Sequence, residues 1–180
     1  MLSLPKVPIA SLSDELIADL RSDHAGETGA VAIYRGMLAI SRDAEVRAFA
    51  EHHLATERLH LAVFEQWLPR RMQSRLLPLW LVSGWLLGAI AALGSKRFTY
   101  LTIAAVETFV IEHYEAQLAY APDAIQPLLC SLQADERAHR DDAADRFAGQ
   151  PADLAGLLER CWHSIIGAGS RWAVGAARHV

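Results

Sequence analysis

Cysteine is scarce. Cys130 and Cys161 are the only two in 180 residues, and they lack the C-x-x-C spacing of a zinc or redox motif. The expectation is two reduced thiols packed in helices. Basic residues are outnumbered: 17 Lys and Arg against 21 Asp and Glu leave a net charge of −4. That balance argues against a nucleic-acid partner, which calls for a basic face. No β-branched alternation competes with helical periodicity, and no glycine-rich dinucleotide fingerprint is present. The first ten residues, MLSLPKVPIA, lack the long apolar run and cleavage site of a secretory signal. The chain is therefore expected to stay on the side of the membrane where it is made. A composition of 52% hydrophobic and 21% charged residues excludes disorder and fits one domain over 1–180.

What is present is a doubled arrangement. Glu27 is followed by Glu57-x-x-His60, and Glu107 by Glu136-x-x-His139. The spacing between glutamates is 30 residues in the first half and 29 in the second, and the halves are offset by 79 or 80. One Glu from each of two helices, plus a Glu-x-x-His from each of two others, is the ligand set of a carboxylate-bridged two-metal site in a ferritin-like bundle. The predicted fold is all-α: a ferritin-like four-helix bundle with a di-metal core, an apolar interfacial helix between its hairpins, and a C-terminal helix.

The helical signals agree with that layout. Ser11 or Ser13 can cap a first helix, with Asp14 and Glu15 favourable to its dipole. That helix runs to about Ile40, and Ser41-Arg42-Asp43 makes a turn. A second helix covers about Ala44 to Trp67, and Pro69 with Arg70, Arg71 and Arg75 closes the half. A third bundle helix starts near Lys96 and ends before Pro122. A fourth runs from Pro122 or Pro127 to Ala148, and a last one covers about 152–177 after Gly149-Gln150-Pro151.

Antiparallel helices bring residues level when they are equally far from the connecting turn. The midpoint of Glu27 and Glu57 is Arg42, in the first turn; that of Glu107 and Glu136 falls between Ala121 and Pro122, at the second. At ~1.5 Å per residue each pair lies about 20 Å from its turn, at matching height. Glu57 and His60, at i and i+3, share a face. The four glutamates also fall in apolar stripes: Glu27 with Leu20, Val31 and Tyr34, and Glu107 with Ile103, Val110 and Tyr114. Such stripes face a core. A buried carboxylate costs several kcal/mol unless paired, and two divalent ions neutralise four. Metal removes the conflict.

The segment Asp23-His24-Ala25-Gly26-Glu27-Thr28-Gly29-Ala30, with Ile33-Tyr34 and Gly36-Met37, closely resembles the demethoxyubiquinone hydroxylase family of ubiquinone biosynthesis. The resemblance continues in Glu57-x-x-His60-Leu61, Pro78-Leu79-Trp80, Leu87-Gly88, Ala105-Val106-Glu107, His113-Tyr114 and Asp135-Glu136-x-x-His139. It covers about residues 20 to 145. It implies a membrane-associated di-iron monooxygenase that hydroxylates a demethoxyubiquinol-type ring with O2. By position, the family's ligands fall on Glu27, Glu57, His60, Glu107, Glu136 and His139. Glu57 and Glu136 would bridge the two iron ions, and Glu27 and Glu107 would be terminal. Asp23, His24, Glu112, His113 and Tyr114 are the candidates for orienting those ligands.

Leu76 to Ser95 contains no charge and is long enough to raise the question of a membrane span. A full crossing would separate Glu57 and His60 from Glu107, Glu136 and His139. The segment is therefore expected at the interface, re-entrant, or packed on the bundle, with Pro78, Gly84, Gly88 and Gly94 disfavouring a straight helix. Arg75, Lys96 and Arg97 suit head groups, and Trp80 and Trp85 the interface. The expected partners are an isoprenoid quinol, O2, membrane lipid and an external electron donor. Other ubiquinone-biosynthesis proteins or a second copy of the chain complete the candidates. The expected location is peripheral (monotopic), on the cytoplasmic face of the inner membrane. Three alternatives stay open: a ferritin-like ferroxidase or iron-binding protein, a non-catalytic membrane-associated scaffold, and a di-iron hydroxylase acting on tRNA.

Overall fold

In a computed structural model, described over residues 4–150 and 156–179, the regular structure is entirely helical. Six α-helices follow in order: α1 (Asp14–Ile40), α2 (Ala44–Trp67), α3 (Leu77–Leu93), α4 (Lys96–Leu118), α5 (Gln126–Ala148) and α6 (Gly156–His179). The first two agree with the approximate bounds read from the sequence, and of Ser11 and Ser13 it is Ser13 that caps α1. Ser13 accepts a hydrogen bond from the Leu16 amide, and Asp43 accepts from Glu45 and Val46. Ser95 caps α4 in the same way through Phe98. The fourth bundle helix begins at Gln126, so Pro127 lies in its first turn, where its missing N–H costs no helical bond. The start expected for the last helix, near 152, lies outside the described residues.

Helices α1 and α2 form one hairpin, α4 and α5 the other, and α6 packs against α1 and α4. The core is split in two. One apolar cluster gathers Tyr34, Met37, Phe49, Tyr100 and Ile103 near the α1–α2 turn. A second gathers Leu20, Phe64, Tyr114, Leu129 and Leu132 near the α4–α5 turn. Every residue of the Glu/Glu-x-x-His repeat falls between these two clusters along its own helix. The polar layer is thus closed above and below by hydrocarbon.

Helix α3 corrects the expectation drawn from its glycines. It is one uninterrupted helix of 17 residues, and the glycines seat it rather than break it. A Cβ on Gly88 would lie 1.9 Å from the Ile33 carbonyl oxygen, and one on Gly84 2.5 Å from that of Gly29. On the facing helix, a Cβ on Gly36 would lie 2.1 Å from the Trp85 carbonyl. The two backbones touch, and only glycine permits that approach. The large side chains of α3 are left on its other face: Leu79, Val82, Trp85, Leu86, Ile90 and Leu93 are exposed. No helix among the described residues is long and apolar enough to cross a membrane. The cysteines also differ from expectation. Both lie in helices, Cys130 on α5 and Cys161 on α6, but both are exposed.

Backbone contact makes a sharp prediction. Gly88→Ala should lower unfolding free energy by about 1–3 kcal/mol through overpacking, despite alanine's better helix propensity. Gly169→Ala, where a Cβ meets nothing within 4 Å, should be neutral or stabilising by up to about 1 kcal/mol. Denaturant melts of the two variants test this; equal effects would refute the seating role.

Candidate metal centre

Glu27, Glu57, His60 and Glu136 form one buried group whose potential ligand atoms lie within 4.8 Å of one another; Glu57, Glu107, Glu136 and His139 form a second. All six residues of the sequence repeat are therefore brought together. Glu57 and Glu136 belong to both groups, and each group adds one further Glu and one His. Exposure of the six ranges from 0% at His60 to 4% at Glu27 and His139.

Inside the layer His139 Nδ1 reaches Glu136 Oε2 at 3.2 Å, but several other close contacts make no hydrogen bond. His139 Nδ1 is 2.9 Å from Glu57 Oε1, and His60 Nδ1 is 3.0 Å from Glu136 Oε1 and 3.5 Å from Glu27 Oε2. Yet Glu27 Oε2, both oxygens of Glu57 and His60 Nδ1 are buried without a hydrogen-bond partner. Buried polar atoms are rarely left so. Lone pairs that converge on a shared centre rather than on donors are what a cation needs, and the donor set fits one.

Outward from this centre, Glu27 and Glu107 are each held by a tyrosine of the opposite hairpin. Tyr114 Oη donates to Glu27 Oε1 at 2.7 Å, and Tyr34 Oη donates to Glu107 Oε1 at 3.1 Å. Tyr34 lies seven residues after Glu27 and Tyr114 seven after Glu107, so the repeat extends to its supports. His60 Nε2 lies 3.1 Å from Asp135 Oδ2, a carboxylate–imidazole arrangement that aims Nδ1 inward.

The orienting candidates separate. Tyr114 touches Glu27 directly. Asp23 and His113 pair with each other at 2.9 Å, Gln117 donates to Asp23 at 2.7 Å, and neither Asp23 nor His113 hydrogen-bonds a residue of the repeat. His24 is buried, with Nδ1 unpartnered, in a groove it shares with Thr28, Arg35 and Arg58, away from the cluster. Glu112 is exposed. Tyr34, Asp135 and His53 were missed as supports. The ring of His53 meets that of His139 edge-on at 4.4 Å, and its Nε2 reaches Asp142 at 2.9 Å. The equal seven-residue offset was the signal that could have found Tyr34.

Electrostatics follow from burial. Burial drives the Glu27 carboxyl up to about 8 against the pull of His60, with Glu57 and Glu136 adding to the rise. Glu107 is pushed well above the carboxylate range by burial, then by Glu136 and Glu57. Burial also opposes charge on Glu57, but the close imidazoles of His139 and His60 outweigh it and hold that carboxyl low. His139 rises to about 11 because Glu136 and Glu57 overcome its burial, and His60 rises likewise beside Glu27 and Glu136. His53 is depressed to about 4 by burial and by His139.

A cavity of about 490 Å³ opens onto this layer. Glu27, Glu57, Glu107 and Glu136 lie at its inner end. Its walls come from α1, α3, α4 and α6, among them Ala30, Trp80, Leu87, Val106, Ile166 and Trp172. Helix α6 forms its cover and is fixed at both ends. Near the start of α6, Arg97 pairs with Glu159 at 2.8 Å and Trp162 donates to Thr102 at 3.0 Å. At its end, Arg178 pairs with Asp19, and Arg21 donates to the Arg178 carbonyl at 2.8 Å.

Fold and site together define an all-helical, ferritin-like bundle with a buried carboxylate–imidazole metal centre. Residues 14–177 match the family of ubiquinone biosynthesis protein COQ7, and the chain belongs to that family. The 3-demethoxyubiquinol 3-hydroxylase of Rhodospirillum rubrum is 40% identical over 129 residues, covering 68% of this chain and 60% of that protein. The protein of the same name from Bordetella petrii is 32% identical over 157 residues, covering 80% of this chain and 68% of its own length. The mitochondrial NADPH-dependent 3-demethoxyubiquinone 3-hydroxylase of Dictyostelium discoideum is 36% identical over 107 residues, 58% of this chain and 49% of that protein. The match thus spans about half to two thirds of these relatives.

Stability should carry the mark of this centre. With metal stripped, folded Glu27 keeps a proton that the unfolded chain loses near pH 4.5, so stability falls as pH rises through about 8. The raised His60 and His139 act in the same sense above 6.5, the ordinary value for histidine. His53 acts oppositely, but only below 6.5. Between pH 6.5 and about 8 the Tm of the stripped protein should therefore fall, and added divalent metal should flatten the slope. A Tm that is flat or rising over that window without metal would contradict a protonated Glu27.

Proposed function

We propose that the protein is an O2-dependent di-iron monooxygenase that hydroxylates the ring of a demethoxyubiquinol-type intermediate in ubiquinone biosynthesis. The observation that carries this reading is the single cavity joining the buried carboxylates to an apolar surface. A substrate with a redox-active ring and an isoprenoid tail needs both ends of such a cavity. The relatives' names supply the same substrate class.

The six repeat residues would hold two metal ions, with Glu27 and His60 on one, Glu107 and His139 on the other, and Glu57 and Glu136 shared. An oxygen-rich set with only two imidazoles and no thiolate favours iron or manganese over softer metals. Two irons bound there would supply the electrons and open coordination that O2 activation needs. The chain's own residues do the rest. Tyr34 and Tyr114 restrain the terminal glutamates, and Asp135 fixes the tautomer of His60. The apolar walls around Trp80, Val106 and Ile166 exclude water, and α6 closes the cavity over the bound ring. With no dinucleotide fingerprint in the sequence, electrons come from an external donor; NADPH, carried in the Dictyostelium relative's name, is the first to test.

Exposed α3 side chains, with Trp172 and Ile165 of α6, leave apolar surface on two of the helices that wall the cavity. We infer a peripheral association with the cytoplasmic face of the inner membrane, with α3 lying in the interface and the quinol entering from lipid. Surface aliphatics of this density are otherwise uncommon.

Two experiments test the reading. His60→Ala and Glu136→Ala should abolish hydroxylation while helical content by circular dichroism stays largely intact; retained turnover in either sinks the ligand assignment. A strain lacking the protein should accumulate the demethoxy precursor and be restored by wild type but not by Glu57→Ala. Separately, replacing Val82, Leu86 and Ile90 together by Ser should release the protein from phospholipid vesicles in flotation. Undiminished flotation would refute the interfacial role of α3.

A further inference from the structure

The repeat is symmetric in its ligands and tyrosines but not in what stands behind its histidines. His60 Nε2 is 3.1 Å from Asp135, the residue immediately before Glu136. The equivalent place in the first half, immediately before Glu57, holds Thr56. Threonine offers no carboxylate to His139. Among the described residues, the polar contacts of the His139 ring run through Nδ1, to Glu57 at 2.9 Å and Glu136 at 3.2 Å. Its flank is met by the edge of the His53 ring, whose own Nε2 is engaged by Asp142. The acid closest to a supporting role there is already taken.

We propose that the two metal positions are unequal, the one served by His60 binding its ion more tightly than the one served by His139, because Asp135 orients and polarises only the first imidazole. This rests on the two-metal reading above and goes beyond it. A carboxylate behind a ligating histidine fixes the tautomer that presents Nδ1, holds the ring in place and strengthens it as a donor. Removal of such a partner typically costs about 10–100-fold in metal affinity. Asp135 is a positioning residue for one ion, and the other ion is the labile one, first to leave and last to load. All other protein donors are matched between the halves, so the difference is isolated to this one contact and the ring beside His139.

The test uses metal-stripped full-length protein titrated anaerobically with Co(II), followed by calorimetry and visible absorption. Wild type should bind two equivalents in two events separated by about tenfold or more in affinity. Asp135→Ala should weaken the tighter event by about tenfold and leave the weaker one and the helical signal unchanged. Asp141→Ala removes an exposed carboxylate six residues before Phe147 that pairs only with Arg140, and should leave both events in place. Two equal events in wild type, a split that Asp135→Ala leaves undiminished, or equal loss in Asp141→Ala would each overturn the proposal. Uptake of fewer than two equivalents by wild type would instead overturn the two-metal reading itself.

Discussion

Glu27, Glu57, Glu107 and Glu136 bring four carboxyl groups together at 1–4% exposure, with hydrocarbon above and below and little water to screen them. Coulomb repulsion at such separations grows steeply as the local dielectric falls. The protein meets it in two ways without a cation: Glu27 and Glu107 take up protons, and His60 and His139 become charged. Both responses leave lone pairs and ring nitrogens facing a common point. Divalent metal bound there would remove the repulsion and displace those protons, which links metal affinity to protonation and folding. Two tyrosines crossing between hairpins then have an electrostatic purpose. Each neutral hydroxyl donates to Glu107 or Glu27 without adding charge to the layer.

Seating α3 by its glycines has a consequence for the cavity. A helix held through large side chains would bury them and present a polar outer face. Contact through Gly84 and Gly88 places the α1 and α3 backbones side by side, and the bulky residues have nowhere to go but outward or toward the cavity. Trp80 takes the second course: its ring lies against Gly29 and forms part of the cavity wall. The same packing therefore produces the exposed apolar face and the apolar wall. One structural choice shapes both the outer face of α3 and the cavity wall.

Much of this was legible in the sequence, and the reason is rigid geometry. Helical rise is fixed, so equal distances of Glu27 and Glu57 from Arg42 translate directly into height, and the ligand layer followed from arithmetic. A capping serine at 11 or 13 and the turn at Ser41-Arg42-Asp43 bounded the first helices, whereas the caps at Asp43 and Ser95 emerged only in the structure. Contacts that depend on rotation of one helix against another were not legible. The crossing of Tyr34 to Glu107 requires knowing that α1 faces α4, which no local pattern states. His24 lies three residues before Glu27 and seemed near enough to support it, but its ring lies in a groove with Thr28, Arg35 and Arg58. Glycine was misread for a related reason. The residue that breaks an isolated helix is also the one that permits close helix contact, and only the partner backbone decides between them.

Repetition and its failures divide the labour of the molecule. Residues that carry the centre repeat with an offset of 80 on α1 and α4 (Glu27 with Glu107, Tyr34 with Tyr114) and of 79 on α2 and α5 (Glu57 with Glu136, His60 with His139). Elements without a counterpart lie outside that set: α3 and α6 both cover the α1–α4 side, and the cavity opens there alone among the walls described. The opposite seam, between α2 and α5, is instead bridged by His53–Asp142 and His60–Asp135. On the proposed reading, a symmetric core would give no direction to a reaction between bound metal and a bulky ring. Direction would arise where the symmetry fails, with the cavity on one seam and the histidine supports on the other.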